Sequence, residues 1–81
     1  MLHIGHQNYV QIDKILVITG TKAAPLRRSW QGAEDGQKLI DCTSGKRTES
    51  LIHLQGGYIV TSAISQQTLV TRLSKGGNNN G

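Results

Sequence analysis

The sequence predicts a small α+β domain, its elements in the order β-β-α-β-β-β-α. Three observations carry this. Short apolar runs separated by Gly, Asn and Ser turns read as strands. Leu26, Trp30 and Ala33, spaced i, i+4, i+7, form one helical stripe, and Leu69, Val70 and Leu73 form another. The chain has 81 residues, which allows a single domain.

The elements follow in order. Residues 2–6 read as a strand, with Leu2 and Ile4 on one face. Gln7-Asn8 supplies a turn in which Asn8 tolerates positive φ. Residues 9–12 and 14–18 read as one bent strand or two short ones, broken at Asp13. Ile15-Leu16-Val17-Ile18 is apolar on both faces, which predicts a central position in a sheet. Pro25 suits the first position of a helix, since its missing N–H is not needed there. Gly36 is the expected stop.

Residues 38–43 and 47–54 read as two strands joined in a hairpin through Ser44-Gly45. Gln55-Gly56-Gly57 predicts a second hairpin, leading into a strand over 58–63. Ser65 is placed to cap the last helix, with Ile64 and Leu69 as a hydrophobic staple. The expected domain is residues 1–74; residues 75–81, Gly- and Asn-rich, have nothing to bury and read as a disordered tail.

Composition narrows the functional classes. Nine Lys and Arg against five Asp and Glu give a net charge of +4. The segment from Lys22 to Arg47 holds Lys22, Arg27, Arg28, Lys38, Lys46 and Arg47 against Glu34, Asp35 and Asp41. Such an excess suits a polyanionic partner or simple solubility. Cys42 is the one cysteine, so no intrachain disulfide can form. A domain of this size buries only about 60% of its unfolded surface. Without staples, it favours a homo-oligomer. No apolar run approaches the roughly 20 residues that span a bilayer, and the N-terminus lacks a signal-peptide pattern. The expected location is the cytoplasm, with no membrane partner.

The residues offer little catalytic chemistry. His3 and His6 fall on opposite faces of a strand, so no metal site is expected. Cys42 lies among apolar neighbours and reads as core packing. Gly45-Lys46-Arg47-Thr48 lacks the upstream Gly of a phosphate-binding P-loop and is followed by no helix. Tyr9 and Tyr58 read as half-buried packing, and Asp41 as a structural carboxylate bonding Arg47 or turn amides. No enzyme, cofactor or small-molecule substrate is expected. The basic groups remain. Lys46 and Arg47 sit on a turn beside the hydroxyl of Thr48, and Arg27 and Arg28 in the first turns of a helix. Such groups suit phosphate clamping.

Four stretches also resemble the RemA family of bacterial extracellular matrix regulatory proteins. They are Ile4-Gly5-x-x-Asn8-x-Val10, Ala24-Pro25-x-Arg27-Arg28, Leu39-Ile40-Asp41-x-Thr43-x-Gly45-Lys46-Arg47-Thr48, and Ser62-Ala63-Ile64-x-x-x-Thr68-x-x-x-Arg72-Leu73. Together they span roughly residues 3–73. The resemblance implies a LytTR-like DNA-binding regulator of biofilm matrix genes. It implies a homo-oligomeric ring with a basic outer belt followed by duplex DNA. It places Lys46 and Arg47 in the DNA-contacting element, and Pro25 and Lys14 in regions tied to assembly. Lys46 stands where the family usually has Arg, and Gln7 where it usually has Gly. The alternatives are a structural or protein-interaction ring module and an RNA-binding protein.

Overall fold

The computed structural model describes residues 1–76. A four-stranded mixed sheet, ordered β3-β5-β6-β4, forms its middle layer. Strands β3 (Ile15–Thr19), β5 (Ser50–Leu54) and β6 (Ile59–Ser62) pair antiparallel, and β4 (Leu39–Asp41) joins β6 in parallel. A small ladder of β1 (Leu2–His3) and β2 (Tyr9–Val10) stands apart from this sheet. Helix α1 (Ala24–Asp35) covers one sheet face; α2 (Gln66–Gly76) and the β1–β2 ladder cover the other. The α+β class is as predicted; the order gains one strand before α1, because the stretch read as one bent strand or two short ones forms two, β2 and β3.

Alternation along the central strands divides the core in two. Ile18, Ile52 and Val60 pack with Leu2, Ile4, Val10 and Leu69. Leu51 and Ile59 turn the other way, onto Ala33 with Leu26, Trp30 and Leu39 beside it. The helical stripe predicted for α1 is therefore its buried face. Buried hydroxyls are satisfied: Ser62 Oγ donates to Ile4 O at 2.8 Å and Ser50 Oγ to Ile64 O at 2.8 Å. The first bond ties the N-terminal ladder to the last strand of the sheet.

The termini of α2 follow the sequence. Ser65 Oγ accepts from Thr68 N at 3.2 Å, the expected cap, and Ile64 and Leu69 pack in the same core. Lys75 and Gly76 belong to the helix; the rest of the expected tail, 77–81, lies outside the described residues. At α1 the left-handed residue is Gln37 (φ 60) rather than Gly36, whose φ is −87. The chain leaves through Lys38 N donating to Ala33 O at 2.7 Å. The Gln55–Gly57 turn joins β5 to β6 as expected, with left-handed Gly56 and Gly57.

Several expectations are overturned. The strand predicted over 2–6 stops at His3. Gly5, His6 and Gln7 take positive φ in the turn, while Asn8 instead donates from its side chain to Gly5 O at 3.1 Å. Gly5 combines a φ of 106 with a site where a Cβ would lie 3.2 Å from Ile64 Cδ1, so the turn requires glycine. The run Ile15–Ile18 lies on an edge strand, not a central one. An irregularity between Ile15 and Val17 breaks its alternation and leaves Leu16 66% and Val17 47% exposed. Tyr9 and Tyr58 are exposed, not half-buried. Tyr9 rests on His3, ring centroids 5.0 Å apart, and Lys38 Nζ lies 5.4 Å from the Tyr58 ring centre.

The largest correction concerns the expected 38–43/47–54 hairpin. β4 does not pair with β5, which begins only at Ser50; β6 lies between them. Bonds from Ile59 N to Lys38 O (3.0 Å) and from Cys42 N to Thr61 O (3.1 Å) flank the parallel register. That register carries Leu39 beside Ile59 under α1.

Val70 shows the limit of the apolar pattern on α2: it is 47% exposed while Leu69 is fully buried. Leu69→Ala should destabilise the fold by about 2–5 kcal/mol. Val70→Ala should change stability by no more than about 0.5 kcal/mol. Urea denaturation of both variants checks the contrast. Among the described residues, no helix is long and apolar enough to cross a membrane.

Candidate nucleic-acid interface

The loop from Cys42 to Glu49 leaves edge strand β4, passes the end of β6, and enters β5. A tight turn opens it. Lys46 N donates to Thr43 O at 3.1 Å, and both central residues are left-handed, Ser44 at φ 54 and Gly45 at φ 80. This is the φ pattern of a type I′ turn, in which Gly at the second central position avoids a steric penalty. Glu49 N then donates to Ser62 O at 2.8 Å and returns the chain to the sheet.

Asp41 holds the turn in place. Its Oδ1 accepts from Thr43 N (3.0 Å), Thr43 Oγ1 (2.7 Å) and Thr61 Oγ1 (2.8 Å). The hydrogen bonds from Thr43 and then Thr61 hold the Asp41 carboxyl below its ordinary range. The predicted bond to a turn amide is present. The predicted alternative, Arg47, instead meets Glu49, Nε to Oε2 3.7 Å.

Beyond the turn, successive residues line alternate sides of the loop. Lys46 and Thr48 face a groove of about 720 Å³ between the loop and α1, where Arg27 and Trp30 also lie. Arg47 and Glu49 face a second hollow of about 350 Å³, shared with Lys22. The structure therefore brings Lys46, Thr48 and Arg27 to one groove and turns Arg47 away from it. Arg28 is exposed on α1 and lines neither hollow. Glu34 and Asp41 add negative charge to the groove, though Asp41 is occupied by its three donors.

The two residues expected at an assembly contact lie apart in the chain's path. Lys14 directly precedes β3 and lines an apolar hollow of about 400 Å³ with Met1, Tyr9, Ile40 and Cys42. Pro25 follows β3, exposed in the first turn of α1. Cys42 is half-buried against the core, and burial, helped by the Asp41 charge, pushes its thiol up. Burial also lowers His53, whose Nε2 lies 2.9 Å from Thr19 Oγ1.

Sequence reasoning missed two contributors. Glu49 stands two residues after Arg47, and in an extended chain that spacing puts both on one side. Thr61 gave no local signal, because it meets Asp41 only through the parallel β4–β6 pairing.

The carboxylate network predicts an acid-sensitive loop. A depressed folded-state value means that stabilisation is present above the unfolded value, near 3.8, and is lost as pH falls through the folded value. Asp41→Asn should thus be less stable than the parent at neutral pH. The gap should narrow below about pH 4, as denaturant midpoints measured across pH will show.

The chain matches the family described as RemA-like, extracellular matrix regulatory protein A-like, over residues 1–73. It is 42% identical over 74 residues to a protein of Thermosynechococcus vestitus, covering 91% of this chain and 96% of the relative. It is 40% identical over 74 residues to one of Coprothermobacter proteolyticus, covering 91% and 70%. It is 34% identical over 73 residues to one of Bacillus cytotoxicus, covering 90% and 84%. All three relatives carry the name "Putative regulatory protein". The family match spans almost the whole described chain, and the chain belongs to the RemA-like family.

Proposed function

We propose that this chain is a non-enzymatic regulator that binds duplex DNA as a homo-oligomeric ring, in the control of extracellular matrix or biofilm genes. The observation that carries the DNA reading is the convergence of Lys46, Arg27 and Thr48 on one open groove beside a fixed turn. Two cations and a hydroxyl on ordered backbone suit a phosphate oxygen. A net charge of +4 favours the same partner. The regulatory part of the reading is supported by family membership and by the names of the relatives.

Two features support assembly. The sheet ends in two unlike edges, β3 with exposed Leu16 and Val17, and β4 with exposed Ile40 close to Met1 and Tyr9. Exposed strand edges with apolar neighbours favour pairing with another chain. Contacts between unlike surfaces run head to tail and close into a ring when the rotation permits. Repetition would then line up many copies of a groove that alone holds few charges.

Binding of an AT-rich, promoter-length duplex, followed by fluorescence anisotropy, tests the site. Lys46→Ala/Arg47→Ala should weaken binding at least about tenfold and lower the salt slope by about two per bound subunit. Unchanged affinity would remove the site. Equal competition by RNA would move the reading to RNA, and absence of any salt-dependent nucleic-acid binding would move it to an acidic protein partner. Pro25→Ser should shift light-scattering mass toward smaller species; an unchanged mass removes Pro25 from the interface.

A further inference from the structure

We infer that the Lys46-Arg47 pair binds two separate phosphates, one on each side of the loop, and that Glu49 restrains the second site. This rests on the duplex-DNA reading above and specifies how that site is divided.

A basic pair on a turn suggests a double charge presented to one ligand. The geometry here separates the two charges. Along the segment entering β5, successive residues line opposite hollows. Lys46 and Thr48 go to the α1 groove; Arg47 and Glu49 go to the hollow beside Lys22. Each cation thereby shares its hollow with a second one supplied from outside the loop, Arg27 for Lys46 and Lys22 for Arg47. Single phosphates on a nucleic-acid backbone fit such an arrangement as separate ligands, each facing two cations.

The sides differ in their readiness. Lys46 is a point charge with three donors. Arg47 carries a planar guanidinium suited to bidentate phosphate contact. Its Nε lies 3.7 Å from Glu49 Oε2, and its side chain is 79% exposed. A phosphate arriving there must displace or outweigh that carboxylate. Glu49 thus lowers the affinity of the Arg47 side and leaves the Lys46 side untouched, because it faces away from the groove.

Titrations of a synthetic AT-rich duplex of about 30 base pairs against salt test the division, each bound phosphate contributing about 0.9 to the slope. Arg47→Ala and Lys22→Ala should each weaken binding, and Arg47→Ala should reduce the slope by about one per subunit. Lys46→Ala should give a similar reduction, and the Lys46→Ala/Arg47→Ala pair should sum the two. Glu49→Gln should tighten binding about two- to fivefold, the range of an exposed ion pair. Most of that gain should vanish in an Arg47→Ala background.

Failure of the parent protein to bind the duplex at about 50 mM salt would overturn the DNA reading and this inference with it. If the parent binds but Arg47→Ala and Lys22→Ala retain both affinity and slope, the second phosphate site is wrong and the DNA reading stands. Equal gains from Glu49→Gln with and without Arg47 would show that Glu49 acts only as a diffuse charge, and would overturn its restraining role.

Discussion

The candidate interface depends on one carboxylate. Asp41 Oδ1 gathers three donors, two from Thr43 in the turn and one from Thr61 on β6. The Thr61 bond couples the last residue of β4 to the strand beside it, and the Thr43 bonds fix the first residues of the loop. Turn direction, and with it the sides taken by Lys46 and Arg47, follows from that anchoring. The anion also lines the groove that holds Lys46 and Arg27, and its neutral donors keep it ionised there.

Small size shapes the rest. One sheet separates two thin apolar cores, one under α1 and one under α2 with the N-terminal ladder. Among the described residues, covering both faces consumes the two helices, and none remains to cover the sheet edges. Leu16, Val17 and Ile40 lie exposed on the two edge strands. The same geometry keeps the basic loop at the rim, beyond the end of β6, where a partner can approach without displacing core residues.

Element positions were legible because they depend on local chemistry. The Leu26, Trp30, Ala33 stripe, the Ser65 cap and the Gln55–Gly57 turn each report within a few residues. Pairing was not legible to the same degree. A turn-like Ser44-Gly45 between two apolar runs reads as a hairpin, and the turn does form, yet the flanking strands pair elsewhere. The deciding contacts, Leu39 with Ile59 and Asp41 with Thr61, link residues some twenty positions apart. The apolar run Ile15–Ile18 misled for a related reason: an irregularity within the strand exposes two of its residues, and no local residue marks it. Of the site, the cations were visible as residue types. Their division between two hollows was not, because it follows from the chain's course after the turn.

The parallel placement of β4 also orders events in time. β3, β5 and β6 join antiparallel, and β5 meets β6 through a tight turn, the local kind of contact that forms early. Among the described residues, β4 has its strand partner only in β6, which follows it in the chain. During synthesis, residues 39–41 leave the ribosome before residues 59–61 emerge to receive them. Loop closure over the intervening β5 must come first. The basic loop therefore takes its shape after β5 and β6 have met. A nascent chain carries its cations on unshaped backbone until Thr61 arrives, so maturation of the interface coincides with completion of the sheet.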